Sequence, residues 1–138
     1  MPSAPDACEA LKAVLLADAT VSSLTAGNIF DRELPYAEDF SMPIKCVVLR
    51  PAGGPPGPAT LPLQILRITT MCYGETPHLA GRVLGAVYMV LNNLTPRVYN
   101  NTLVYSCMVS TGEISLRDPD EHWPYSLMSW LVRIGVDP

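Results

Sequence analysis

The chain has 138 residues, 49% of them hydrophobic and 16% charged. That suits one domain with a sizeable core and excludes intrinsic disorder of the body. Nine Lys and Arg stand against 13 Asp and Glu, a net charge of −4, so no general electrostatic attraction to nucleic acid or anionic lipid is expected.

In chain order, Ser3 can cap a first helix over residues 4–17, with Pro5 and Asp6 in its early turn and Ala7, Leu11, Val14 and Leu15 on one face. Asp18 can cap a further short turn holding Val21 and Leu24, before Ala26, Gly27 and Asn28 break it and Ile29 and Phe30 begin extended structure. Pro35 and Pro43 bracket a loop. Residues 44–50 read as a buried strand, rich in β-branched side chains and stopped by a proline. Residues 51–62, PAGGPPGPATLP, hold five prolines and three glycines in twelve positions, a long local loop expected to join an antiparallel hairpin with the next strand, 63–73. Thr76 followed by Pro77 starts a second helix over 77–93, with Ala80, Val83, Leu84, Val87, Leu91 and Leu94 in one stripe. Gly81 and Gly85 share a face of it, each costing about 1 kcal/mol relative to alanine. Close approach of the sheet, or of a neighbouring subunit, is the expected reason.

Two more strands are read at 102–109, with 113–116 able to extend it, and at 125–136. The last places Met128, Trp130, Val132, Ile134 and Val136 on one face. Its other face carries Tyr125, Leu127, Ser129, Leu131 and Arg133, only partly polar and so expected to be covered by a helix or another chain. The order α, β, β, α, β, β points to an α+β fold: a four-stranded, mainly antiparallel sheet with two main helices on one face, all in a single domain over 1–138.

Chemical signatures are sparse. The cysteines Cys8, Cys46, Cys72 and Cys107 lack metal-finger spacing, and the last three fall inside expected strands, where cysteine is a small buried hydrophobe. The apolar run 13–17 is too short for a signal-peptide core, and no stretch reaches the roughly 20 apolar residues of a membrane helix. An unexported, soluble protein with reduced thiols and no membrane contact is expected. No P-loop, dinucleotide fingerprint or nucleophile elbow occurs. His78 and His122, the two histidines, form no catalytic couple that spacing can show. Asp118, Asp120, Glu121 and His122 miss the calcium-loop pattern and read as a solvated turn. No catalytic residue, cofactor or metal is assigned. Trp123, at a loop-to-strand boundary, either anchors its loop or serves an interface.

Taken together, the segments LKAVLLADATVSSLTAGNIFDRELP, MPIKCVVLR, LRITTMCYGETPHLAGRVLGAVYMVLNNL and RDPDEHWPYSLMSWLVRIGV resemble the tail terminator, or tail completion, proteins of long-tailed bacteriophages and gene transfer agents. The similarity runs through nearly the whole chain in order, and the proline-rich stretch 51–62 departs from it by its length. The resemblance implies a non-enzymatic virion protein of the tail or neck, assembled in the host cytoplasm. It would form a homo-oligomeric, hexameric ring on the head-proximal end of the tail tube, stop tube growth and meet the head–tail connector. Its partners would be the tube protein and the connector or neck protein, with DNA only as cargo through the lumen. A negative or neutral lumen would let the polyanion pass. The alternatives are another neck or tail structural protein, such as a head-completion factor or tube subunit, and a small enzyme or ligand-binding domain.

The expected contact surfaces are the loop, with Arg50, Ala59, Thr60 and Leu61; the helix face at Gly81 and Gly85; the acidic turn of Asp118, Asp120, Glu121, His122 and Trp123; and Leu127, Leu131 and Arg133 of the last strand.

Overall fold

The computed structural model describes residues 6–34, 44–52, 63–92, 94–99, 102–119 and 121–136. Three helices, α1 (Ala7–Ala17), α2 (Ala19–Thr25) and α3 (Pro77–Leu91), accompany six strands: β1 (Ile29–Asp31), β2 (Cys46–Pro51), β3 (Leu63–Tyr73), β4 (Arg97–Tyr99), β5 (Thr102–Arg117) and β6 (Pro124–Val136). The strands form one sheet in the order β1-β2-β3-β6-β5-β4. β1 runs parallel to β2 and every other pair is antiparallel.

The expected four-stranded sheet with two main helices is therefore wrong. The sheet is mixed and six-stranded, because β1 and β4 are three-residue edge strands too short to show a periodicity. The turn after Asp18 is a seven-residue helix. Its start was legible: the Asp18 side chain accepts from the Val21 N–H at 3.0 Å, and the helix ends on Ala26 and Gly27, both at positive φ. The cap of α1 is Asp6, whose carboxylate accepts from the Glu9 N–H; Ser3 lies outside the described residues. Thr76 caps α3 through Leu79, with Pro77 in the first turn.

All three helices pack on one face of the sheet. Leu11 and Leu15 of α1, Val21 of α2, and Val83, Leu84, Val87 and Leu91 of α3 close over Val47, Leu49, Ile68, Cys72, Val104, Val132 and Ile134. Trp130 lies fully buried among them, with its ring 6.0 Å from that of Tyr88. Its indole N–H donates to the Thr70 hydroxyl at 3.2 Å, and that hydroxyl donates to the Met128 carbonyl at 3.1 Å. This is how a large ring with a polar edge is buried without leaving its donor unpaired.

A smaller cluster, Cys46, Val48 and Tyr73 with Phe30, Leu34, Ile44, Met71, Trp123 and Tyr125, covers part of the opposite face. Close backbone approach occurs at Gly74, where a Cβ would meet the Ala80 nitrogen and lie 2.8 Å from the Leu79 carbonyl carbon. Only glycine lets β3 turn into α3 there. The β2–β3 ladder ends at Pro51↔Ile68, so the connection is longer than the twelve residues of the proline-rich stretch. Residues 63–67 pair with β6 and not with β2. Among the described residues, no helix is long and apolar enough to cross a membrane.

Thr70→Val keeps the side-chain volume but strands the buried indole N–H. Urea unfolding should show a loss of about 1–3 kcal/mol, with Thr70→Ser much closer to wild type; equal stability of Thr70→Val and wild type would show that the bond adds nothing.

Candidate functional site

The cysteines are poor nucleophiles. All four are buried and unpaired by disulfide, and burial pushes the thiols of Cys8, Cys46 and Cys107 up to about 12 and that of Cys72 higher still. Asp31 adds to the rise at Cys8. His78, on the first turn of α3, and His122, in the turn before β6, are both exposed. Among the described residues no group of three metal-ligating side chains converges.

The first surface is the acidic turn. The Asp118 carboxylate accepts from the Glu121 N–H at 2.9 Å, its carbonyl accepts from the His122 N–H, its own N–H donates to the Trp123 carbonyl, and Arg117 donates to the His122 carbonyl at 3.0 Å. His122 sits at φ 61, a left-handed position that closes the turn. Glu121 points to solvent, whereas Trp123 is half-buried against the Tyr73 and Tyr125 cluster. The tryptophan thus anchors the turn and leaves its acidic edge outside. Asp120 lies outside the described residues.

The second surface is α3. A Cβ at Gly81 would lie 3.4 Å from a Glu113 carboxylate oxygen, and one at Gly85 would meet nothing within 4 Å. The sheet is therefore not what approaches Gly85, and Met89, one turn further on, is 64% exposed.

The third is the sheet face away from the helices. Register places Arg50, Leu127, Leu131 and Arg133 there, together with Ile65, Arg67, Thr69 and Met71, and from β5 Met108, Ile114 and Leu116. The last three are 54%, 42% and 42% exposed. Arg50 donates from Nε to the Arg32 carbonyl at 2.7 Å, and Thr69 and Ser129 share a hydrogen bond at 3.1 Å. Arg67 and Met108 were missed as surface candidates; the alternation Ile65, Arg67, Thr69, Met71 was the available signal. Among the described residues, β4 pairs only with Thr102, Leu103 and Val104 of β5, leaving the rest of that edge unpaired. Ala59, Thr60 and Leu61 lie outside the described residues. Of the expected contact residues, then, the structure gathers Arg50, Leu127, Leu131 and Arg133 on one face. It puts Gly81 and Gly85 on the helix layer, and the acidic turn at the far end of β6.

No family model matches this sequence, and no curated protein matches it. In fold, the chain is similar to a chain in a solved structure described as the virion of a native gene transfer agent particle, with 14% identity, a TM-score of 0.68, and coverage of 91% of this chain and 92% of that one. The likeness is one of fold and extends over nearly the whole of both chains.

The buried thiols make a pH-linked prediction. Their folded-state pKa values lie above the ordinary value of 9.0, so the stability they support is complete below pH 9 and is lost as pH rises towards 12. Native protein at pH 8 should resist alkylation by iodoacetamide at all four cysteines and react at all four in denaturant. Rapid labelling of the native protein would contradict their burial.

Proposed function

We propose that this chain is a structural subunit of a phage-like virion, a tail terminator. It forms a hexameric ring at the head-proximal end of the tail tube, ends tube polymerisation and offers the surface for head–tail joining. The observation that carries this reading is the end-to-end likeness in fold to a chain of a gene transfer agent virion. The surfaces support it. A protein whose half-apolar sheet face, helix face at Gly85 and β5 edge are exposed carries surfaces suited to assembly.

In this reading the subunit belongs to the tail or neck and assembles in the host cytoplasm. Its partners are its own copies, the tube protein and a connector or neck protein, and DNA passes through the lumen as cargo. The face at Gly81 and Gly85 meets a neighbouring subunit, and the stretch 51–62 meets the adjoining rings.

Native mass spectrometry with negative-stain imaging tests the ring. A six-membered ring with a central hole is expected; a compact monomer or dimer at micromolar concentration sinks the proposal, and a long polymer reassigns the chain to a tube subunit. Gly85→Leu should melt at or above the wild-type temperature, because the site is open and glycine costs about 1 kcal/mol in a helix, yet fail to form the ring. A Gly85→Leu ring of normal mass removes α3 from the interface.

For the loop, replacing residues 53–59 with a Gly/Ser stretch of equal length preserves reach and removes three of the five prolines that limit its conformational entropy. Tail capping and head joining in complementation should fall while the melting temperature holds. Wild-type capping by that variant would make the loop passive.

A further inference from the structure

The open sheet face carries a diagonal row of arginines. Arg50 of β2 stands opposite Thr69, two residues from Arg67 on β3; Arg67 stands opposite Leu131, two residues from Arg133 on β6. Diagonal neighbours of this kind lie about 7–8 Å apart. Among the described residues, no Asp or Glu falls on this face, and neither Arg67 nor Arg133, both exposed, has an ion-pair partner. Three adjacent like charges on a protein of net charge −4 repel one another, and an anionic partner would relieve that repulsion.

The chain carries a complement to this row. The turn between β5 and β6 has three carboxylates in residues 118–123, with Glu121 exposed at its edge. It is remote from its own Arg133 and Arg67: Pro124 and Arg133 are nine residues apart on one extended strand, about 30 Å, and Arg67 stands opposite Leu131, about 23 Å from Pro124. The two patches can be matched only between copies. Used head to tail, such a pair makes a heterologous contact, the kind that propagates around a ring, whereas a two-fold dimer would use both patches of each copy at once.

We infer that the arginine row of one subunit receives the acidic turn of the next copy, with Glu121 against Arg67 and Arg133. This rests on the ring reading above and names the contact that would build it. The composition of the face favours a protein over a nucleic acid as occupant. The arginines are interleaved with Ile65, Leu131 and Met108, and the face holds no lysine among its described positions, the mixture typical of protein interfaces. A free arginine row facing a DNA passage would also retain the cargo.

The test is a double-mutant cycle on the full chain, read as the concentration at which the ring dissociates. Arg67→Gln with Arg133→Gln, and separately Glu121→Gln, should each raise that concentration about tenfold, and the triple variant should be no worse than the arginine pair alone. All three substitutions are at exposed positions, and unchanged thermal melts establish that folding is intact. Raising salt from 0.1 to 0.5 M should weaken the wild-type ring more than the triple variant. A wild-type ring with unaffected variants, or with losses that multiply, refutes the contact while the ring reading stands. Absence of any wild-type ring removes both. If the arginine variants keep the ring but lose a wild-type affinity for a short DNA duplex, the row belongs to a polyanion and the inference is wrong.

Discussion

The hydrogen bond from the Trp130 indole to the Thr70 hydroxyl is the constraint on which the sheet depends. It ties the two central strands, β3 and β6, at one register, with Ile68 opposite Trp130 and Thr70 opposite Met128. A slip of one residue would turn every side chain of a strand to the other face. It would leave a buried indole donor without an acceptor and expose the widest side chain of the core. The helices then have a defined floor to pack on, and the exposed face receives the complementary set of residues by the same alternation.

That alternation divides the sheet into a face that packs the core and a face turned away from the helices. The helix-bearing face is continuous and apolar from Val47 to Ile134. Among the described residues, the opposite face is closed where Trp123, Tyr125 and Tyr73 pack with Ile44 and Leu34, the two tyrosine rings lying 5.3 Å apart. Beyond that cluster it is open, with arginine, methionine and leucine side by side. The groups that hold the fold together are therefore largely distinct from those on the outer face. The surface ion pairs, Arg32 with Asp6 and Asp31 and Lys45 with Glu75, each have at least one solvent-exposed partner, and pairs of this kind add little to stability.

The glycines illustrate how the same residue type can answer different demands. Gly74 is required by the backbone of α3 pressing against the end of β3, and nothing in the local sequence separates it from a loop glycine. Gly81 and Gly85 draw the eye because a helix interior penalises them, yet around Gly85 the folded subunit leaves open space. At Gly81 the nearest group is the Glu113 side chain of β5, so sheet packing accounts for neither the emptiness around Gly85 nor the closest backbone approach, which falls at Gly74.

Features set by neighbours along the chain could be read from the sequence itself. Thr76 and Pro77 begin α3, Asp18 caps α2, and the alternating side chains of β6 divide it into a core face and an outer face. Each depends on hydrogen bonds or periodicities spanning fewer than about a dozen residues, so the local order of side chains suffices. Tertiary structure alone decided that Ile29–Asp31 and Arg97–Tyr99 join the sheet as edges, that β1 lies parallel to β2, and that Gly74 marks the close approach. It alone placed Arg50, Arg67 and Arg133 in one row. Those outcomes depend on pairings between residues far apart in the chain, where a three-residue strand gains its hydrogen bonds only once its neighbour is already in place.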